Sequence, residues 1–137
     1  MFEEICYVCY IDEGVLSQMQ TSDILDRVNL NYDEQLGLTG AVNDLTRKYP
    51  IITQIILYGS KAKGGFLEDS DIDILIVTQH IIPREVKHEV SDIIYNHELA
   101  HDIVISALIV SESDYRNKLS PFLMKVKKEG IVIWSKE

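Results

Sequence analysis

The sequence predicts an α/β (α+β) fold, in which helices pack mainly on one face of a mixed sheet of about four strands. The 137 residues are 46% hydrophobic and 8% aromatic, which is typical of a globular domain rather than of a disordered chain. Four short β-rich runs alternate with segments whose apolar residues follow helical spacing. No internal repeat, low-complexity segment or linker divides the chain, so we expect a single domain over residues 1–137.

The first half of the chain predicts a helix followed by a strand. Residues 2–11 are apolar and fit either a strand or a helix, and Thr21 can begin the cap of a short helix. Asp33 to Tyr49 has the spacing of a longer helix, although two internal glycines weaken it and Pro50 ends it. Residues 52–58 are rich in β-branched side chains and predict the first strand.

The second half predicts three more strands, each preceded by a helix. A short helix begins at Ser60 and ends near residues 64–65, and residues 71–77 form the second strand. Pro83 opens a helix to about residue 97, and residues 102–110 form the third strand. Ser120 caps the last helix, Gly130 lies just past its end, and residues 131–134 form a short final strand.

Small residues follow the first predicted strand, and acidic residues begin the second. The first strand runs into Gly59-Ser60, and Asp71 and Asp73 follow ten residues later at the start of the second strand. Because strand side chains alternate, the two carboxylates point the same way, about 6–7 Å apart, opposite to Ile72. Two acids on one face repel each other unless a cation joins them, and oxygen ligands of this kind suit Mg²⁺.

The Gly-Ser turn, the ten-residue spacer and the Asp-x-Asp pair together resemble the signature of the DNA polymerase β-like nucleotidyltransferases. Within that superfamily the chain is similar to the small stand-alone minimal nucleotidyltransferases. Residues 120–134, a predicted helix followed by a short strand, resemble the end of such domains. The resemblance covers roughly residues 32–137 and leaves 1–31 as an N-terminal extension. Lys61 and Lys63 stand where many relatives carry arginine, which weakens the case for a bidentate grip on phosphate.

The resemblance implies transfer of a nucleoside monophosphate, AMP from ATP, to an acceptor hydroxyl with release of pyrophosphate. Two metal ions can stabilise the attacking and leaving oxygens of such a transfer. The catalytic residues, which would also hold two Mg²⁺ ions, are then Asp71, Asp73 and, on the third strand, Asp102. The residues expected to bind the nucleotide are Gly59, Ser60, Lys61 and Lys63.

The resemblance also implies a partner, because such proteins commonly act as antitoxins of helical HEPN-domain toxins. The net charge of −9 disfavours nucleic acid as a partner, since affinity for it depends largely on lysine and arginine. We expect a cytoplasmic protein without a membrane contact, because no apolar run approaches about 20 residues and no basic leader is present. Homo- and hetero-oligomers both remain open.

Two other functions compete with this interpretation. One is a binding module that neutralises its partner by complex formation with weak catalysis or none. The other is transfer to a small molecule, as in aminoglycoside nucleotidyltransferases, which usually need an additional acceptor-binding domain.

Two further motifs have simpler explanations. His97-Glu98-Leu99-Ala100-His101 matches the zinc-protease pattern, but that motif needs both histidines on one face of a continuous helix, and we expect His101 at or beyond the helix end. Cys6 and Cys9 have no second cysteine pair with which to complete a zinc site, and we expect partly buried thiols.

Overall fold

A computed structural model describes residues 28, 30–63 and 70–136. Within them, the chain forms five helices and four strands. Their bounds are Tyr32–Lys48 (α1), Ile52–Tyr58 (β1), Ser60–Lys63 (α2), Ile72–Thr78 (β2), Arg84–His101 (α3), Ile105–Ser111 (β3), Glu112–Asn117 (α4), Pro121–Glu129 (α5) and Ile131–Ser135 (β4). The predictions on residues 2–11, on the cap at Thr21 and on Cys6 and Cys9 lie outside the described residues.

The four strands form one mixed sheet in the order β3-β2-β1-β4. Strand β1 pairs antiparallel with both β2 and β4, whereas β2 and β3 are parallel and joined through helix α3. In this register Tyr58 lies opposite Asp73 on β1, and Ser106 lies opposite Asp73 on β3. The beginning of β2 therefore sits between the end of β1 and the beginning of β3.

The two faces of the sheet are covered unequally. The long helices α1 and α3 pack on the first face, over a core that includes Ile72, Ile74 and Ile76 of β2. The second face carries a smaller core, in which Leu75 and Val77 pack against helix α5. The predicted α/β (α+β) class with a mixed four-stranded sheet is confirmed, and so is the alternation that places the isoleucines of β2 opposite to Asp73.

The third strand begins later than the sequence suggested. Helix α3 continues to His101 instead of ending near residue 97, and Asp102 ends it in the left-handed conformation, with φ of 54°. The Glu98 carboxylate accepts a hydrogen bond from the backbone N–H of Ile105, 2.8 Å away, which holds the chain between helix and strand. The prediction of a strand over 102–110 is therefore wrong at its start, and Asp102 is the C-cap of α3.

Sequence reasoning missed helix α4, which follows β3 directly. The Ser111 hydroxyl accepts a hydrogen bond from the backbone N–H of Asp114 and caps its first turn. A serine cap before a first turn that contains two acidic residues is a common helix start, so the signal was present in a segment of only six residues.

The glycines of α1 allow close packing of α1 against α3. A Cβ added at Gly40 would lie 2.7 Å from the ring of His97, and one at Gly37 would collide with Ile103. These glycines lower helix propensity, but a side chain at either position would force the neighbouring groups apart. Among the described residues, no helix is both long enough and apolar enough to cross a membrane.

Candidate active site

The turn between β1 and α2 is pressed against the Asp73 carboxylate. Gly59 has a φ of 77°, which side-chain-bearing residues rarely adopt, and an added Cβ would lie only 2.5 Å from the Asp73 Oδ2 atom. Glycine is therefore required here for two independent reasons. The contact brings the Gly-Ser turn and the Asp-x-Asp pair together, although 13 residues separate Gly59 from Asp73 in the chain.

The two acids at the N-terminal end of β2 differ in environment. Asp71 precedes the strand and is exposed, whereas Asp73 is the second residue of the strand and is half-buried. Burial and the nearby Asp71 charge raise the pKa of Asp73 above its ordinary value. Both causes disfavour the second negative charge, and a bound cation would reverse this effect.

This donor set fits a divalent cation such as Mg²⁺, which is commonly bound through one or two carboxylates together with substrate phosphates. Within the described ranges, no three His, Cys, Asp or Glu side chains are gathered closely enough to hold a metal among themselves. Asp71 and Asp73 could thus supply two ligand groups, and further oxygens would have to come from the substrate or from water.

Asp102, the predicted third carboxylate, lies on the side of Asp71. Both line a cavity of about 260 Å³ with Ser70, Ile103, Val104 and residues at the start of α1, namely Asn31, Asp33 and Glu34. The segment 102–104, between α3 and β3, is held beside β2 because the N–H of Ile72 donates to the carbonyl of Val104 at 2.9 Å. On β3 itself, the residue opposite Asp73 is Ser106, which is exposed.

The two lysines of the turn make different contacts. Lys61 is buried, with a side chain 3% exposed, and its Nζ lies 3.0 and 3.2 Å from the two carboxylate oxygens of Glu34. Glu34 also accepts a hydrogen bond from the backbone N–H of Asn31, which caps helix α1. Lys61 therefore fastens α2 to the start of α1, and its ammonium group is turned to Glu34 rather than to open solvent.

Lys63 is half-exposed and pairs with Glu129 of α5, with a distance of 3.0 Å from Nζ to the carboxylate. Hydrogen bonding to Lys63 lowers the pKa of Glu129 below its ordinary value. The pair is accessible to solvent, so we assign it little stability. Its position still matters, because it connects the helix after the Gly-Ser turn to the helix on the second face.

Glu34 is the residue of this region that sequence reasoning missed. Asn31 and Glu34 form a capping box at the start of α1, and that spacing was visible in the sequence. The buried lysine 27 residues away was not visible, because surface and buried lysines look alike without the fold.

The residues of the zinc-protease pattern make packing contacts and hydrogen bonds within the fold. His97 and His101 both lie on α3 with stacked rings, 6.4 Å between centroids, and His101 is the last residue of the helix, so its expected place at the helix end is confirmed. The Nε2 atom of His97 lies 2.7 Å from the Asp44 carboxylate of α1, and Glu98 is bonded to the backbone of β3. These side chains connect α3 to its neighbours in the fold.

Comparison with known proteins identifies the class to which this fold and site belong. The model of the nucleotidyltransferase domain family matches residues 38–132, and the chain belongs to that family. It is a nucleotidyltransferase. A relative from Methanocaldococcus jannaschii, provisionally named a protein adenylyltransferase, is 36% identical over 105 residues, which cover 74% of this chain and 99% of the relative.

Solved structures share the fold at low sequence identity. A provisionally assigned nucleotidyltransferase of Sulfolobus solfataricus has a TM-score of 0.51 and 17% identity, covering 85% of this chain and 89% of its own. A chain in the complex of tri-AMPylated HEPN toxin with MNT antitoxin from Shewanella oneidensis has a TM-score of 0.50 and 19% identity, covering 74% and 71%. At these identities the likenesses show the fold.

Proposed function

We propose that this nucleotidyltransferase transfers AMP from ATP, with Mg²⁺, to a hydroxyl group on a partner protein. The observation that carries the proposal is the contact between the Gly59 turn and Asp73, where an added Cβ would lie 2.5 Å from the carboxylate. A backbone without side chains next to a pair of acids leaves room for phosphate oxygens and a shared cation. The name of the Methanocaldococcus relative supports adenylyl transfer to protein.

The proposed roles follow from position. Asp71 and Asp73 would hold Mg²⁺, which when bound neutralises charge on the phosphates and on the attacking and leaving oxygens. The backbone amides of the turn at Gly59 and the hydroxyl of Ser60 would orient the outer phosphates. Asp102, across the cavity that it shares with Asp71, would accept the proton of the acceptor hydroxyl.

The lysines of the turn act differently in this proposal. Lys61 holds the turn in place through Glu34, so its part is positioning rather than contact with phosphate. Lys63 would be able to reach a phosphate after exchanging its partner Glu129, because that ion pair is exposed to solvent.

A HEPN-domain toxin is the proposed acceptor. The structural neighbour with a HEPN toxin that carries AMP groups supports this choice at the level of the fold. The net charge of −9 also favours a protein acceptor over a nucleic acid. The described residues form one compact sheet and its helices, so the acceptor hydroxyl would be supplied by the partner.

A second candidate is an antitoxin that acts by binding, with weak catalysis. One observation favours it: the residue opposite Asp73 on β3 is Ser106, and no third carboxylate is gathered with Asp71 and Asp73 in the described ranges. The fold and nucleotide site would then serve recognition of the partner more than turnover.

Titration calorimetry with ATP in the presence of Mg²⁺ tests the nucleotide site. The variant Asp71→Asn with Asp73→Asn should lose Mg²⁺-dependent ATP binding while its fold survives, because both charges that hold the cation are gone. The matched control is Glu85→Gln with Asp92→Asn, which removes two exposed acids from helix α3 and should bind ATP as wild type does. Unchanged affinity in the site variant would show that the site is assigned wrongly.

A further inference from the structure

A second cavity opens beside the Gly-Ser turn, on the face of the sheet opposite to the long helices. Its volume is about 190 Å³ and its wall is mainly apolar. The lining residues are Tyr58, Gly59, Phe122, Lys125, Val126 and Glu129. We call it the aromatic cavity.

The aromatic cavity adjoins the candidate active site directly. Gly59 belongs to both, since it lines the cavity and touches the Asp73 carboxylate. Tyr58, the neighbour of Gly59, lies opposite Asp73 in the strand register. The Lys63–Glu129 ion pair connects α2 to the helix that forms the other wall.

Two aromatic rings define the interior of this cavity. Tyr58 and Phe122 meet edge to face, with ring centroids 5.3 Å apart and an angle of 80° between the ring planes. Phe122 is 40% exposed although it is a large apolar side chain. A ring held in place by another ring and open on one side offers a flat apolar surface for a planar ligand group.

The two cavities around the acids differ sharply in character. The one at Asp71 also contains Asp33 and Asp102 and is rich in carboxylates, whereas the one at Gly59 is aromatic, with Lys125 among its lining residues. Its volume is smaller than the roughly 300–1,000 Å³ of pockets that enclose a whole drug-sized ligand. The cavity therefore suits one planar part of a ligand whose charged part lies at Gly59 and Asp73.

We infer that the aromatic cavity holds the base of the nucleoside triphosphate, with Phe122 as the residue against which the base stacks. The inference rests on the proposed function, because it assumes that the phosphates lie at the Gly59 turn. Phe122 is here a binding residue that determines affinity for the nucleoside part. The phosphates would run from the cavity to Asp71 and Asp73, and the acceptor would approach from the side of Asp102.

Calorimetry with two ligands separates the base from the phosphates. Wild type and Phe122→Ala are titrated with ATP and with inorganic triphosphate, each with Mg²⁺. Stacking of one base on one aromatic side chain predicts a Kd for ATP about tenfold higher in the variant. The Kd for inorganic triphosphate should not change, because that ligand has no base.

Two further variants serve as controls. Met124→Ala removes another exposed apolar side chain of α5 that does not line the cavity, and it should bind both ligands as wild type does. Phe122→Leu keeps apolar bulk without a ring and should lose ATP affinity in the same way, which covers the case in which Phe122→Ala fails to fold.

The outcomes distinguish this inference from the proposed function. If both Phe122 variants bind ATP as tightly as wild type, or lose ATP and inorganic triphosphate equally, the base does not stack on Phe122 and the inference is wrong. If wild type binds neither ligand in the presence of Mg²⁺, the proposed function itself fails and the inference fails with it.

Discussion

Gly59 shows how a single residue can join two distant parts of a sequence into one site. Its positive φ could be explained by the turn alone, but its contact with Asp73 belongs to the site. The sequence motif contains both Gly59 and Asp73, but it does not show that the two residues are in contact. The spacing in the chain says how many residues intervene, whereas the register of β1 against β2 places Tyr58 opposite Asp73 and closes the gap.

Substitution of Gly59 by alanine should therefore have two separable costs. The left-handed backbone conformation disfavours alanine by about 1–2 kcal/mol, and the new methyl group collides with Asp73 Oδ2. We expect Gly59→Ala to lower the free energy of unfolding measured in urea, and to do so less in an Asp73→Ala background, where the oxygen is absent. Equal costs in the two backgrounds would mean that the turn and Asp73 are not in contact.

Asp102 marks the limit of residue-level prediction. The sequence suggested an acid on a strand, but the helix before it is four residues longer than expected and makes Asp102 its cap. Glu98 stabilises this ending through its bond to Ile105, a contact between residues seven apart that periodicity does not report. Asp102 nevertheless lines the same cavity as Asp71, so its proposed role is retained with different geometry.

At the scale of elements, the long helices were predicted better than the contacts between them. The predicted bounds of α1 and β1 agree with the structure to within one residue, because both predictions depend on local patterns. The glycines of α1 appeared as weaknesses, since propensity is a local quantity. The structure explains them through neighbours distant in sequence, because Gly40 faces the ring of His97 and Gly37 faces Ile103.

The effect of alanine at Gly40 should depend on His97. Alanine is favoured over glycine in an exposed helix by about 1 kcal/mol, yet here its methyl group would lie 2.7 Å from the His97 ring, which Asp44 holds in place. We expect Gly40→Ala to destabilise wild type, and to stabilise the His97→Ala background, in thermal unfolding. Stabilisation in both backgrounds would show that the helices do not pack through this glycine.

The buried ion pair between α1 and α2 should behave as a unit. Removing one partner leaves a buried charge, so Lys61→Met and Glu34→Gln should each cost about 3–5 kcal/mol in urea unfolding. In the double variant no uncompensated charge remains, and its cost should be clearly smaller than the sum of the single costs. Additive costs would indicate that the two side chains do not interact.

At the scale of the whole molecule, the beginning of β2 lies between two unlike cavities. The first is acidic and is shared by Asp71 and Asp102, and the second is aromatic and begins at Gly59. The sequence predicted the fold class and the position of Asp71 and Asp73 at the start of β2, because strand pattern and motif spacing are local properties of the sequence. It did not predict either cavity, since the acidic cavity is lined by three separate segments and the aromatic cavity by two segments that lie more than 60 residues apart.

Mass spectrometry of a candidate HEPN toxin tests the central claim most directly. The toxin is incubated with ATP, Mg²⁺ and this protein, and its intact mass is compared with that of a sample without ATP. We expect wild type to add AMP to the toxin. Asp102→Asn should keep most of its ATP affinity and transfer about 10²–10⁴ times more slowly, as loss of a general base predicts.

The contradicting result is equally definite. If wild type never adds mass to the toxin, yet wild type and Asp102→Asn neutralise it equally by forming a stable complex, then the transfer reaction proposed for this pair is wrong. The protein would in that case act on its partner by binding.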